Sequence, residues 1–192
     1  MRTTILASFA AATIGIGLVA GCGNDSTAPM DHSMMDTTEV GANHVMADVM
    51  FARMMYPHHA QAVEMASMVE GRSTNPDVIA LAAEIESAQQ PEMDRMVTWL
   101  EEWGQPAPTS DMGEMGGMDG MMSAQDMESL MALSGEEFDR EWLTMMIEHH
   151  EGAVEMAETE IADGSNPDAI SMARSIVESQ NAEIERMQQL LE

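Results

Sequence analysis

The sequence contains no lysine and only one cysteine, and its charge is strongly of one sign. All seven basic residues are arginines, against 34 Asp and Glu residues, which gives a formal net charge of −27. A surface this acidic repels the phosphates of nucleic acids and anionic lipid headgroups, and this argues against both as partners. It attracts cations, although the same charge would also serve simply to keep the protein soluble.

Aromatic residues are scarce and methionine is abundant. Phe, Tyr and Trp together occur seven times, whereas Met occurs 24 times. Thioether side chains must therefore fill much of the core. Methionine is a flexible gap filler, but it is also a soft ligand that suits Cu(I), so a structural and a metal-binding use are both open.

The single cysteine follows a leader-like segment. Residues 1–21 begin with a charged position, continue with an apolar run and end in Val-Ala-Gly directly before Cys22, which is typical of a signal peptide. The ending Leu-Val-Ala-Gly-Cys resembles the lipobox of bacterial lipoproteins, which implies export, cleavage before Cys22 and acylation of Cys22 as a membrane anchor. The alternative is an ordinary secretory signal with an incidental cysteine. If Cys22 is acylated, soft-metal chemistry must use methionine and histidine.

The remainder contains an internal repeat. When the chain is shifted by 91 positions, residues 54–96 align with residues 145–187 without a gap, and 19 of the 43 positions are identical. Each copy contains Met-Met-x-x-His-His and, further on, Asn-Pro-Asp. A repeat of this kind indicates a duplicated structural unit that cannot bury its apolar face alone.

Each copy predicts a pair of helices. The first helices are expected over about residues 42–70 and 135–162, the second over about 76–103 and 167–192. Asn75 and Asn166 are N-caps followed by a proline at the first helical position, Ser134 begins a capping-box pattern, and Pro57 lies inside the first helix. Ser123 opens a short extra helix. We therefore predict an all-α, antiparallel four-helix bundle of the ferritin-like kind over residues 43–192.

Two segments outside the helices are rich in small and polar residues. Residues 22–42 read as a flexible tether, and residues 104–122 as a Met/Gly-rich linker. Both contain clustered soft donors that predict auxiliary copper sites, with low-complexity composition as the alternative: Met30, His32, Met34, Met112, Met115, Met118 and Met121.

A helical wheel places the histidines on the apolar side of the first helix of each copy. Met54, His58 and Met65 form one axial row, Met145, His149 and Met156 repeat it, and His59 and His150 are expected at the edge of the apolar arc. On the second helices, Gln89, Glu92, Gln180 and Glu183 point inward. We expect these to bond the histidines and free the other ring nitrogen for a metal.

The spacing disfavours a di-iron oxidase, which needs Glu three positions before each His. Those positions hold Met55 and Met146. Neutral His and Met ligands suit Cu(I) or Ag(I) better than ferric iron. The predicted metal ligands are Met54, His58, His59, Met65, Met145, His149, His150 and Met156.

The two motif segments, residues 51–66 and 142–157, resemble the CopM-like (DUF305) family. The resemblance covers about residues 43–192, and it implies a ferritin-like bundle, an envelope location and, for some members, copper binding by Met and His. We therefore predict a copper-binding envelope lipoprotein, not an enzyme, anchored at Cys22. The alternatives are a helical interaction or structural module with a His/Gln/Glu core cluster, and a metal-dependent redox enzyme.

Overall fold

A computed structural model of the protein describes residues 44–109 and 120–192. These ranges hold five helices: α1 (Met46–Ser67), α2 (Pro76–Glu102), α3 (Ala124–Met131), α4 (Gly135–Asp163) and α5 (Pro167–Leu191). The predicted signal peptide and tether, and most of the Met/Gly-rich linker, lie outside the described residues. Of the helices in the described ranges, none combines the length and apolar character needed to cross a membrane.

The four long helices form two hairpins, α1 with α2 and α4 with α5, which join mainly through α1 and α4. α1 and α4 run antiparallel. The indole N–H of Trp142, near the start of α4, donates to the main-chain oxygen of Met65, near the end of α1, at 2.9 Å. At the other end, the main-chain N–H of Ser165 donates to Asp48 in the first turn of α1 at 2.9 Å. The antiparallel four-helix bundle predicted from the duplicated hairpin is confirmed, with α3 as a short addition.

The predicted N-caps of α2 and α5 are confirmed, whereas the predicted capping box of α4 is wrong. The side chains of Asn75 and Asn166 each accept the main-chain N–H two residues further on, at 3.0 Å. Ser134 makes no side-chain cap. Instead, Gly135 has a φ of 63° and donates its N–H to the main-chain oxygen of Arg72 at 2.8 Å. The loop of the first hairpin therefore anchors the start of α4, which local sequence could not reveal.

The first helix is shorter than predicted, Met46–Ser67 against about 42–70. It ends because the main-chain N–H groups of Met68 and Val69 bond three residues back, and Gly71 then takes a left-handed φ of 77°, a conformation that glycine adopts without strain. Pro57 lies inside the helix, as predicted, and its side chain is buried.

The core consists of two apolar clusters at the two ends of the bundle. One contains the second half of α1, the first halves of α2 and α4, the end of α5, and residues of α3. The other contains the opposite halves of the same four long helices. On every long helix a polar pair lies between the two sets of apolar residues. We call these eight residues the histidine layer: His58, His59, Gln89, Glu92, His149, His150, Gln180 and Glu183.

A buried carboxyl pair closes the end of the bundle at which α4 turns into α5. Asp48 and Glu160 are 0% and 1% exposed. Burial by itself would raise the pKa of Asp48, but hydrogen bonds from the main-chain N–H groups of Val45 and Asn166, from Glu160 and from Ser165 outweigh it and lower that pKa. Burial, the hydrogen bond to Asp48 and the charge of Asp48 raise the pKa of Glu160 to about 8. At neutral pH, Glu160 is therefore protonated and shares its proton with Asp48.

Candidate metal centre

All four histidines of the repeated motif are buried at the crossing of α1 and α4. His58, His59, His149 and His150 are each 0% exposed. The rings of His58 and His149 pack against each other, with centroids 3.8 Å apart and an interplanar angle of 40°. His59 and His150, which the helical wheel places at the edge of the apolar arc, are fully buried as well, because α2 and α5 cover that side of the first helices.

The second histidine of each motif copy, His59 or His150, contacts a carboxylate from the second helix of its own hairpin. The Nε2 atom of His59 lies 2.7 Å from Oε2 of Glu92, and the Nε2 atom of His150 lies 2.7 Å from Oε2 of Glu183. The Nδ1 atoms of both rings are buried and have no hydrogen-bond partner among the described residues. The two hairpins therefore repeat one local arrangement at equivalent positions.

The two glutamines of the layer make no such contact. Gln89 and Gln180 are each 3% exposed, and within the described ranges their amide oxygens have no hydrogen-bond partner. An unpartnered buried acceptor costs about 1–3 kcal/mol. The histidine layer thus contains buried acceptors to which no donor of the described residues bonds.

The environment of His149 favours its uncharged form. Burial lowers the pKa of His149 well below its ordinary value, and the neighbouring His58, His150 and His59 lower it further by charge repulsion. His149 is therefore neutral at physiological pH. A neutral imidazole has one nitrogen lone pair, and this is the form that binds a metal ion.

The predicted methionine ligands fall into unequal environments. Met65 and Met145 are buried, at 0% and 5% exposed, whereas Met54 and Met156 are half-buried. The repeat is thus symmetric in its histidines but not in its methionines. Met55 and Met146, which we did not predict as ligands, are fully buried, and their identity in both copies of the repeat is the only sequence signal that marks them.

Part of the predicted site falls outside the structural description. Met30, His32, Met34, Met112, Met115, Met118 and Cys22 lie outside the described residues, and Met121 is half-buried at the described end of the linker. Across residues 44–109 and 120–192, no three side chains of His, Cys, Asp or Glu come together as metal ligands.

Sequence reasoning missed one buried histidine. His44 is 8% exposed and stacks on Trp103 with ring centroids 4.8 Å apart. Trp103 in turn stacks on Trp99 at 5.9 Å, and the guanidinium of Arg95 lies over the ring of Trp99 at 5.1 Å. His44 lies before the observed start of α1 and outside the internal repeat, which begins at residue 54, so the repeat does not mark it.

An antiparallel bundle with paired histidines from two duplicated hairpins at its centre defines the structural class of this protein. The family model "Domain of unknown function (DUF305)" matches residues 48–191. The chain therefore belongs to the DUF305 family, as its two motif segments predicted. A comparison with curated protein sequences found no match.

Solved structures of similar proteins share this fold. A DUF305 protein of Streptomyces coelicolor, described as secreted, is 39% identical with a TM-score of 0.70, covering 76% of this chain and 91% of that one. A DUF305 fragment from Deinococcus radiodurans is 34% identical with a TM-score of 0.70, covering 78% and 97%. CopM in its Cu(I)-bound form is 33% identical with a TM-score of 0.63, covering 74% and 94%. CopM has also been solved in Cu(II)-bound and Ag-bound forms.

Proposed function

We propose that this protein is an exported lipoprotein that binds copper for sequestration, resistance or transfer. Cu(I) is its principal ion, with Cu(II) and Ag(I) as further candidates. One observation carries the proposal. The Nδ1 atoms of His59 and His150 are buried without a hydrogen-bond partner in the described structure, while the Nε2 atom of each ring lies 2.7 Å from a carboxylate oxygen.

The carboxylates select the ring tautomer. An ionised carboxylate can only accept a hydrogen bond, so the proton of a neutral His59 or His150 stays on Nε2 and the lone pair is left on Nδ1. A carboxylate behind a histidine also orients the ring and makes it a stronger metal ligand. Glu92 and Glu183 are therefore the supporting residues of the proposed site. Gln89 and Gln180, which were expected to bond the histidines as well, have amide oxygens without a hydrogen-bond partner among the described residues, so they do not share this role.

The donor set suits a soft ion of low charge. The proposed ligands are His58, His59, His149 and His150 together with Met54, Met65, Met145 and Met156. Imidazole and thioether are neutral donors that favour Cu(I), and the low pKa of His149 keeps its ring unprotonated. Since the carboxylates of the layer already contact imidazoles, thioethers are the donors that would complete the coordination.

The relatives support the same ion. CopM, which is 33% identical over 74% of this chain, has been solved with Cu(I), and also with Cu(II) and Ag. The acylated Cys22 would anchor the domain to a membrane, on the periplasmic or cell-surface side. The methionines of the tether and linker would act as auxiliary capture sites.

The test is competition for Cu(I) between a chelator and the full-length protein purified in detergent. We expect binding tighter than micromolar, and a loss of at least about tenfold, or about 1.4 kcal/mol, when His58 and His149 are both replaced by alanine. Met65→Leu tests a thioether ligand with little change in volume. Met96→Leu on α2 is the matched control, since Met96 is also 0% exposed but packs in the apolar cluster at the other end of the bundle, and it should bind like the wild type.

Micromolar or weaker binding by the wild type would contradict the proposal, as would unchanged affinity in the histidine variant. The histidine layer would then be a hydrogen-bonded core cluster of a structural or interaction module. Thermal unfolding separates the two readings, because an ion present at about 100 times its Kd stabilises the folded state by about 2.7 kcal/mol. A structural cluster predicts no shift in Tm on adding Cu(I).

A further inference from the structure

The described end of the Met/Gly-rich linker is fixed to α1 by one glutamine. The side-chain N–H of Gln61 donates to the main-chain oxygen of Met122 at 2.8 Å, and the main-chain N–H of Met122 donates to the side-chain oxygen of Gln61, also at 2.8 Å. Gln61 is 2% exposed. The side-chain amide of Gln61 therefore pairs with both the main-chain N–H and the main-chain oxygen of Met122 and fixes the position of that residue.

Two residues earlier, the linker lies directly on α4. Gly120 has a φ of 80°, and a Cβ atom at this position would lie 2.8 Å from the main-chain oxygen of Glu148 and 3.1 Å from that of His149. The contact with Glu148 is closer than real Cβ atoms make and involves a main-chain atom, and the positive φ also favours glycine, so glycine is the residue that fits here. The linker thus crosses the turn of α4 that carries His149 and His150.

The two copies of the repeat contact the linker in different ways. Gln61 and Gly152 occupy equivalent positions in the two copies. In the first copy the side chain binds the linker, whereas in the second its absence leaves room, with the Cα of Gly152 only 3.0 Å from where a Cβ of Gly120 would lie. The two copies thus differ at the equivalent positions 61 and 152, which both contact the linker, whereas the histidine pairs two to three residues earlier are identical.

This docking buries a linker thioether. Met122 is 8% exposed and packs in the same apolar cluster as Met65, Met145 and Met146. That cluster adjoins the histidine layer, and it contains two of the proposed thioether ligands. Met122 belongs neither to the helical repeat nor to the every-third-residue spacing of the linker methionines.

We propose that Met122 is a further thioether ligand of the soft-metal site and that Gln61 is its positioning residue. This inference rests on the proposed function. Because Met122 belongs to the linker, binding of an ion to its sulfur would stabilise the docked linker, and undocking would weaken the site by the same free energy. The fraction of protein with a docked linker would then rise when the site binds its ion.

The test compares Met122→Leu with Met127→Leu in the full-length protein in detergent. Met127 on α3 is 7% exposed in the same cluster, so both variants remove one buried sulfur at similar cost to packing. X-ray absorption counts the sulfur neighbours of bound Cu(I), and competition with a chelator gives the affinity. We expect Met122→Leu to lose one sulfur neighbour and about tenfold in affinity, with Met127→Leu unchanged in both.

A third variant, Gln61→Ala, tests the positioning role by hydrogen exchange. It should remove the protection of the Met122 amide and lower the affinity, because the thioether is no longer held. Unchanged sulfur count and affinity in Met122→Leu, with a wild type that binds Cu(I), would overturn this inference and leave the proposed function standing. A wild type that binds no Cu(I) would overturn both.

Discussion

Replacing Glu160 by glutamine should make the protein more stable in alkaline solution. The pKa of Glu160 is raised from 4.5 to about 8 in the folded protein. Between these two values the folded state holds a proton that the unfolded state has released, so stability falls as the pH rises. Glutamine has nearly the same shape, can donate its amide N–H to Asp48 and never ionises.

The size of the effect follows from the linkage relation. One pH unit in this window corresponds to about 1.36 kcal/mol, so the wild type should lose at most about 4 kcal/mol relative to Glu160→Gln between about pH 5 and pH 8. Folded domains are stable by only about 5–15 kcal/mol, so a loss of this size is readily measured. Outside the window the difference between the two proteins should be constant.

Urea unfolding of both proteins across this pH range is the assay. The remaining carboxylates contribute their own pH dependence, but they are common to both proteins and cancel in the difference. Glu158→Gln, an exposed position on the same helix, is the control and should follow the wild type. If the difference between Glu160→Gln and the wild type does not change with pH, the shared proton at the Asp48 junction is refuted.

Three further outcomes are expected. Trp142→Phe removes the indole donor to the oxygen of Met65, which keeps the main-chain N–H of Met68 as a second donor, and should lower the free energy of unfolding, measured in urea, by at least about 0.5–1.5 kcal/mol, the contribution of one hydrogen bond; an unchanged value would contradict this. Asn166→Ala removes the side-chain cap of α5 and should cost about 1 kcal/mol, measured by thermal unfolding against an exposed control, Ser171→Ala. The ring NMR signals of His149 should not titrate between about pH 7.5 and about pH 6, because burial lowers the pKa of His149; a titration midpoint inside that interval would contradict this.

The four-helix architecture could be predicted from local signals alone. The 91-residue repeat defines two hairpins, and the Asn-Pro-Asp sequences mark the first turn of each second helix because cap, proline and acidic residue all act within a few positions. Ser134 shows the limit of such reasoning. Ser134 has the capping pattern, yet the hydrogen bond at the start of α4 is the one that the N–H of Gly135 donates to the main-chain oxygen of Arg72. Arg72 lies more than sixty residues away in the sequence.

The candidate site was predictable in composition but not in arrangement. Helical periodicity places His58 and Glu92 on inward faces, and the structure brings the histidines of both copies together. Periodicity within one helix cannot tell which neighbour covers the edge of its apolar arc, so the complete burial of His59 was missed. The docking of Met122 by Gln61 was missed for a similar reason, because it joins a loop to a helix through main-chain atoms that have no sequence signature.

The most direct test of the central claim is an anomalous difference map from crystals of this protein grown with Cu(I), with Ag(I) as a second probe. The account predicts a peak at the histidine layer, bonded to Nδ1 of His59 or His150 and to at least one methionine sulfur. Crystals whose histidine layer contains no anomalous peak at saturating Cu(I), or a peak bonded only to carboxylates on the surface, would contradict it.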